Sequence, residues 1–109
     1  MKIKIANDVW KIKLKDGDSK KMHPSKDRIN FGLTEYTRLV INIRKEMPLS
    51  LARSTVIHEL VHAFIFSYGH EVDGEEAMCN FFGVHADEIL ELTEQIMKGV
   101  IEVANNRRN

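Results

Sequence analysis

The sequence carries a single cysteine, Cys79, in 109 residues. One thiol cannot close an internal disulfide, so a packed core must hold the fold, and a reducing, cytoplasmic setting is expected. Net charge is missing as well, since 16 Lys+Arg balance 16 Asp+Glu. Proteins that neutralise many phosphates carry a cationic excess, so nucleic acid is not an expected partner. Long apolar runs are absent, and no segment is expected to span a membrane. The opening stretch, MKIKIANDVWKIKLKDGD, is charged at every second or third position and has no apolar h-region of a signal peptide. Internal repeats and low-complexity segments are lacking too, apart from a polar stretch over 105–109 that is expected to fray. What remains is an ordinary soluble mix, 43% apolar and 29% charged. It suits one compact domain spanning 1–109, large enough to bury a core without disulfides.

The first half reads as strands and the second as helices. Lys2 to Ala6 alternates Lys and Ile, and Val9 to Leu14 alternates again after the turn chemistry of Asn7-Asp8. That is a hairpin of half-buried strands, with Trp10 at the core or its rim. Residues 16–27 hold Gly, Pro, Ser and many charges and predict a loop. Arg28 to Leu33 and Arg38 to Arg44 are two further strand candidates. Beyond Pro48, Ser50 is the expected cap of a helix over Leu51 to Tyr68, closed by Gly69. Its apolar residues Ile57, Leu60, Val61, Phe64 and Ile65 recur at three- and four-residue steps. Asp73 is the expected cap of a second helix running to about Val103, with the stripe Met78, Phe81, Phe82, His85, Ile89, Leu92, Ile96 and Val100. Strands followed by helices predict an α+β fold: a small, mostly antiparallel N-terminal sheet packed on two C-terminal helices.

Inside the first helix lies His58-Glu59-Leu60-Val61-His62, an HExxH sequence. Residues four apart on an α-helix are separated by roughly 40° and one turn, so both imidazoles can close on one ion. Zn²⁺ accepts such nitrogens. Glu59 projects about 100° away, a poor ligand from this turn but near enough to take a proton from a water whose pKa a metal lowers. The plainer reading is a pair of core histidines. It is the weaker one, because unpartnered imidazoles in apolar surroundings are costly and a metal satisfies them.

A catalytic zinc needs a third protein ligand and one open position. His70, Glu71, Asp73, Glu75, Glu76 and His85 are the candidates. Glu76 shares a helical face with Asn80 and Gly83, beside Cys79. A close helix crossing over these small residues would carry Glu76 towards His58 and His62. Helix starts are uncertain by a residue or two, so Glu75 stays as the alternate ligand. His85 falls in the apolar stripe and reads as a packed residue, and Cys79 as a small contact residue rather than a ligand.

HELVH followed by Glu76-Ala-Met-Cys79-Asn80-Phe-Phe82-Gly83 resembles the gluzincin arrangement, and more narrowly the small phage and mobile-element metallopeptidases of the ImmA/IrrE type. The second motif of those proteins runs roughly Glu-x-x-Ala-Asn-x-Phe-Ala. Glu76, Asn80 and Phe82 match it, with Cys79 and Gly83 in place of the two alanines. The likeness covers about Ser54 to Gly83. It implies a minimal zincin-like core, Zn²⁺ on His58, His62 and Glu76, Glu59 as general base, and Asn80 as a partner that fixes a ligand histidine. The Leu-Met-Pro element of larger members is missing. Tyr36, Tyr68, His70 and His85 are all open as the group that would stabilise an oxyanion. The expected function is a zinc-dependent peptidase acting on a peptide or protein, laid along an exposed strand edge such as Arg38 to Arg44. The alternative is a metal-stapled regulatory or protein-binding module without turnover, favoured if His70 or His85 closed the coordination shell.

Overall fold

The computed structural model describes residues 1–108, with side chains to Asn106. Strands β1 (Lys2–Ile5) and β2 (Asp8–Lys15) form the expected hairpin, β3 (Gly32–Glu35) and β4 (Val40–Arg44) a second one, and helices α1 (Leu49–Tyr68) and α2 (Glu75–Arg108) follow. The fold is α+β. The strand order is β1-β2-β4-β3. β1–β2 and β3–β4 pair antiparallel, whereas β2–β4 is parallel, so the sheet is mixed, with antiparallel pairs in the majority.

Alternation decides which face is buried. Ile3, Ile5, Trp10, Ile12, Ile41 and Ile43 point to one side and are buried, while Lys2, Lys4 and Lys11 stay exposed on the other. The helices cover the apolar side. Ala52, Val56, Leu60, Ala63 and Phe64 of α1 and Phe81, Ile89, Ile96, Met97 and Val100 of α2 join the strands in one hydrophobic cluster. Each large side chain buried there contributes about 1.5–3 kcal/mol. Trp10 lies wholly within it; its Nε1–H donates to Ser67 Oγ at 2.8 Å, and that hydroxyl donates to Asp8 Oδ2 at 2.8 Å.

Several boundaries differ from expectation. The first turn falls on Ala6-Asn7, with Ala6 at φ 53°. β3 begins at Gly32, four residues past Arg28, because 16–31 folds as one long loop that inserts the fully buried Met22. α1 starts at Leu49, capped by Pro48 without a side-chain bond, so Ser50 is inside the helix. Pro48 is tolerated there because an N–H at the start of a helix has no intrahelical partner to lose. α2 continues to Arg108, past the expected end at Val103. Asn109 and the Arg107 and Arg108 side chains lie outside the described residues. Among the described residues no helix is long and apolar enough to cross a membrane.

Candidate active site

The HExxH sequence sits in the middle of α1, where the helix packs on β3, β4 and β1. Leu60 and Ala63 turn into the core, which leaves His58 exposed and His62 half-buried on the flank beside β3. The two rings converge: His58 Nε2 and His62 Nε2 are 3.2 Å apart. Nitrogens at that separation, each 2.0–2.1 Å from a common Zn²⁺, would subtend roughly 100°, close to a tetrahedral angle. The donor set and its spacing therefore fit a divalent ion.

Glu59 is the buried member of the motif, only 7% exposed. Its Oε2 lies 4.0 Å from His58 Nε2, so the carboxylate stands beside the nitrogen pair without belonging to it. Two residues of β3 hold it there. Thr34 Oγ1 donates to Glu59 Oε1 at 2.8 Å. Gly32, two residues earlier and on the same strand face, leaves room for the Glu59 side chain. A Cβ at Gly32 would stand 2.7 Å from Glu59 Cγ, 2.9 Å from Glu59 Oε2 and 2.9 Å from Thr55 Cγ2.

Tyr36, in the turn after β3, completes the arrangement. Its hydroxyl is 3.2 Å from His62 Nδ1. A metal on Nε2 requires the proton on Nδ1, which then donates to Tyr36 Oη and fixes the tautomer. The hydroxyl named above as an oxyanion candidate thus contacts the histidine. The side chain that meets His62 Nδ1 is Tyr36, whereas Asn80 lies in a different cleft.

The strand beside the histidines is the sheet edge, and it is β3. β4, within the expected Arg38 to Arg44 segment, is interior, paired on both sides. Arg44 N–H donates to Phe31 O at 2.9 Å, so Leu33 and Glu35 alternate with it in bonding to β4. The N–H and C=O groups of Gly32 and Thr34 therefore face outward, unpaired by a strand. Clefts open at either end of the pair. One, of about 370 Å³, includes Ile29, Phe31, His58 and Glu59 in its walls. The other, of about 450 Å³, is walled by Tyr36, His62, Ile65 and Phe66.

The acidic residues of α2 are not gathered here. Glu75 and Glu76 are both exposed in its first turn. Among the described residues no group of three or more His, Cys, Asp and Glu side chains is assembled as a metal cluster. The expected crossing over Cys79 and Gly83 does not form. Cys79 is exposed, and a Cβ on Gly83 would meet nothing within 4 Å. α2 packs instead through Phe81, His85, Ile89 and Thr93, while Met78 and Phe82 of the expected stripe stay exposed. The register follows from the packing. His85 meets Phe64, and Glu94 pairs with Arg53. Glu76, nine residues before His85, lies about 13 Å beyond the Phe64 level, and His58, six residues before Phe64, about 9 Å the other way.

His70, His85 and Asn80 share a separate cleft at the far end of α1. His85 is buried as expected, and burial, followed by the neighbouring His70, lowers its pKa below the ordinary imidazole value, opposed by Glu88. Tyr68 packs at the helix end as anticipated, its ring 4.4 Å from that of His85. Burial and the Glu88 carboxylate, which accepts a hydrogen bond from it, raise its pKa.

Sequence reasoning missed Gly32 and Thr34. A glycine and a hydroxyl residue at i and i+2 on one strand face were the available signal. Ending the strand at Leu33 hid it. No family model, no curated protein and no solved structure matches the chain.

Proposed function

We propose that the protein is a zinc-dependent peptidase in which His58 and His62 hold the ion and Glu59 is the general base. The observation that carries this reading is the convergence of the two Nε2 atoms at 3.2 Å beside a buried, hydrogen-bonded carboxylate. A bound Zn²⁺ would polarise the scissile carbonyl and acidify a water molecule. The Glu59 carboxylate would accept the proton of that water and deliver it to the leaving amine. Thr34 occupies Oε1 and so leaves Oε2 as the basic oxygen. Tyr36 Oη, 3.2 Å from His62 Nδ1, would accept the Nδ1 proton when Nε2 holds the ion. The family resemblance would make Glu76 the third ligand, with Glu75 as alternate; both stand exposed in the first turn of α2, away from the histidine pair, so the reading rests on His58, His62 and Glu59.

The substrate is an extended peptide that adds to the free edge of β3 through Gly32 and Thr34. The flanking clefts, with Ile29 and Phe31 on one side and Ile65 and Phe66 on the other, favour apolar side chains on both sides of the scissile bond. A cytoplasmic location accords with the exposed, unpaired thiol of Cys79. The test is hydrolysis of unfolded protein substrates with Zn²⁺, with chelator, and by Glu59→Gln. Cleavage lost in both the chelated enzyme and the variant is expected. Turnover by Glu59→Gln equal to wild type removes the reading.

A further inference from the structure

A second pair of imidazoles converges outside this site. Gly69 ends α1 in the left-handed conformation at φ 67°. His70 N–H then donates to Ile65 O at 3.0 Å, and Gly69 N–H to Phe66 O at 3.1 Å. These bonds turn the chain back over the helix end, as at a Schellman-type terminus. His85 rises from the buried face of α2 to meet it. The two Nε2 atoms stand 3.4 Å apart.

The surroundings fix both rings. The Phe81 ring lies 4.8 Å from that of His85 and 5.5 Å from that of His70. Tyr68 packs on the same two rings at 4.4 Å and 6.2 Å. On the open side, both histidines line a cleft of about 300 Å³ whose walls are mostly apolar, with Glu71 and Asn80 as its other polar side chains. At 3.4 Å the two nitrogens are at the long limit of an N–H···N bond. Two nitrogens each 2.0–2.1 Å from one cation would subtend about 110° at this spacing, a tetrahedral value. Imidazole donors suit Zn²⁺, Cu²⁺ and Ni²⁺.

We propose that His70 and His85 form a second site for a late first-row divalent cation such as Zn²⁺, separate from the His58–His62 pair. The ion clips the turn at the end of α1 to α2, and water from the cleft fills the remaining positions. Such a site binds the folded chain alone, because 15 residues separate its two ligands. It therefore stabilises the α1–α2 junction in proportion to free metal.

The test is titration of the full chain with Zn²⁺ while two-bond ¹H–¹⁵N NMR follows the ring nitrogens of its five histidines. The Nε2 resonances of His70 and His85 are expected to move together and saturate with one ion. In His58→Ala/His62→Ala that response persists. In His70→Ala, which alters an exposed residue, the His85 shift disappears while His58 and His62 still respond. His70 and His85 resonances that stay fixed in Zn²⁺ overturn the proposal, as does a His85 shift that survives His70→Ala. The two pairs are read separately, so failure of one leaves the other standing.

Discussion

The contact between Gly32 and Glu59 permits a sharp test of how the edge strand positions the carboxylate. Replacing Gly32 by Ala adds one carbon at 2.7 Å from Glu59 Cγ and 2.9 Å from both Glu59 Oε2 and Thr55 Cγ2. Real Cβ contacts do not come so close, so the Glu59 side chain must move. Ala is otherwise favoured over Gly in a strand by about 0.5–1 kcal/mol. Overpacking costs about 1–3 kcal/mol, and a net loss of ~1–2 kcal/mol is expected. Glu59→Ala removes two of the three close atoms. Gly32→Ala in that background is therefore expected to cost at least ~1 kcal/mol less, a coupling energy proper to touching residues. Urea unfolding followed by the fluorescence of Trp10, the chain's one tryptophan, measures all four corners of the cycle. A cycle that adds to within about 0.5 kcal/mol would refute the packing argument. If Glu59 is the base, displacing it by ~1 Å also lowers turnover by about 10²-fold.

Tyr36→Phe removes the hydroxyl on His62 Nδ1 and is expected to weaken Zn²⁺ affinity about 10–100-fold, measured by competition with a chromophoric chelator. Ser67→Ala breaks the Trp10–Ser67–Asp8 chain and leaves the buried indole N–H unpaired, so chemical denaturation is expected to show a loss of about 1–3 kcal/mol. Glu35 sets an acid limit. Its burial opposes ionisation, but hydrogen bonds from Asn42 and Lys21 and the charges of Lys21 and Arg38 outweigh it and hold the pKa at about 2 instead of 4.5. A depressed carboxylate stabilises the fold above pH 4.5, and the gain is lost as pH falls towards 2. The gain is at most about 3 kcal/mol, and Glu35→Gln is expected to flatten stability over that window in pH-dependent unfolding.

The core of the candidate site is local, and local chemistry is what a sequence displays. A helix with histidines four residues apart must present both imidazoles to one flank, whatever it packs against. That logic located α1, its closure at Gly69 and the burial of His85. The hairpin of Ile3, Ile5, Trp10 and Ile12 was legible for the same reason, because period-two alternation needs only one apolar face to be covered. β3 was less legible. Gly32 and Thr34 have little strand signature of their own, and their pairing with β4 is a long-range outcome.

Sequence alone therefore determined the α+β order, the helix that carries HExxH and the convergence of His58 with His62, since each follows from backbone periodicity. Tertiary packing decided that β3 is the edge beside those histidines, that Thr34 and Gly32 cradle Glu59, and that Tyr36 meets His62. It also decided that Phe81, His85 and Ile89, and not the small-residue face of Cys79 and Gly83, seat α2 on α1. The physical reason is that helix–helix register is chosen by which apolar surfaces bury best together. Neither the spacing of Glu76 from His62 nor the helical face it shares with Asn80 contains that information.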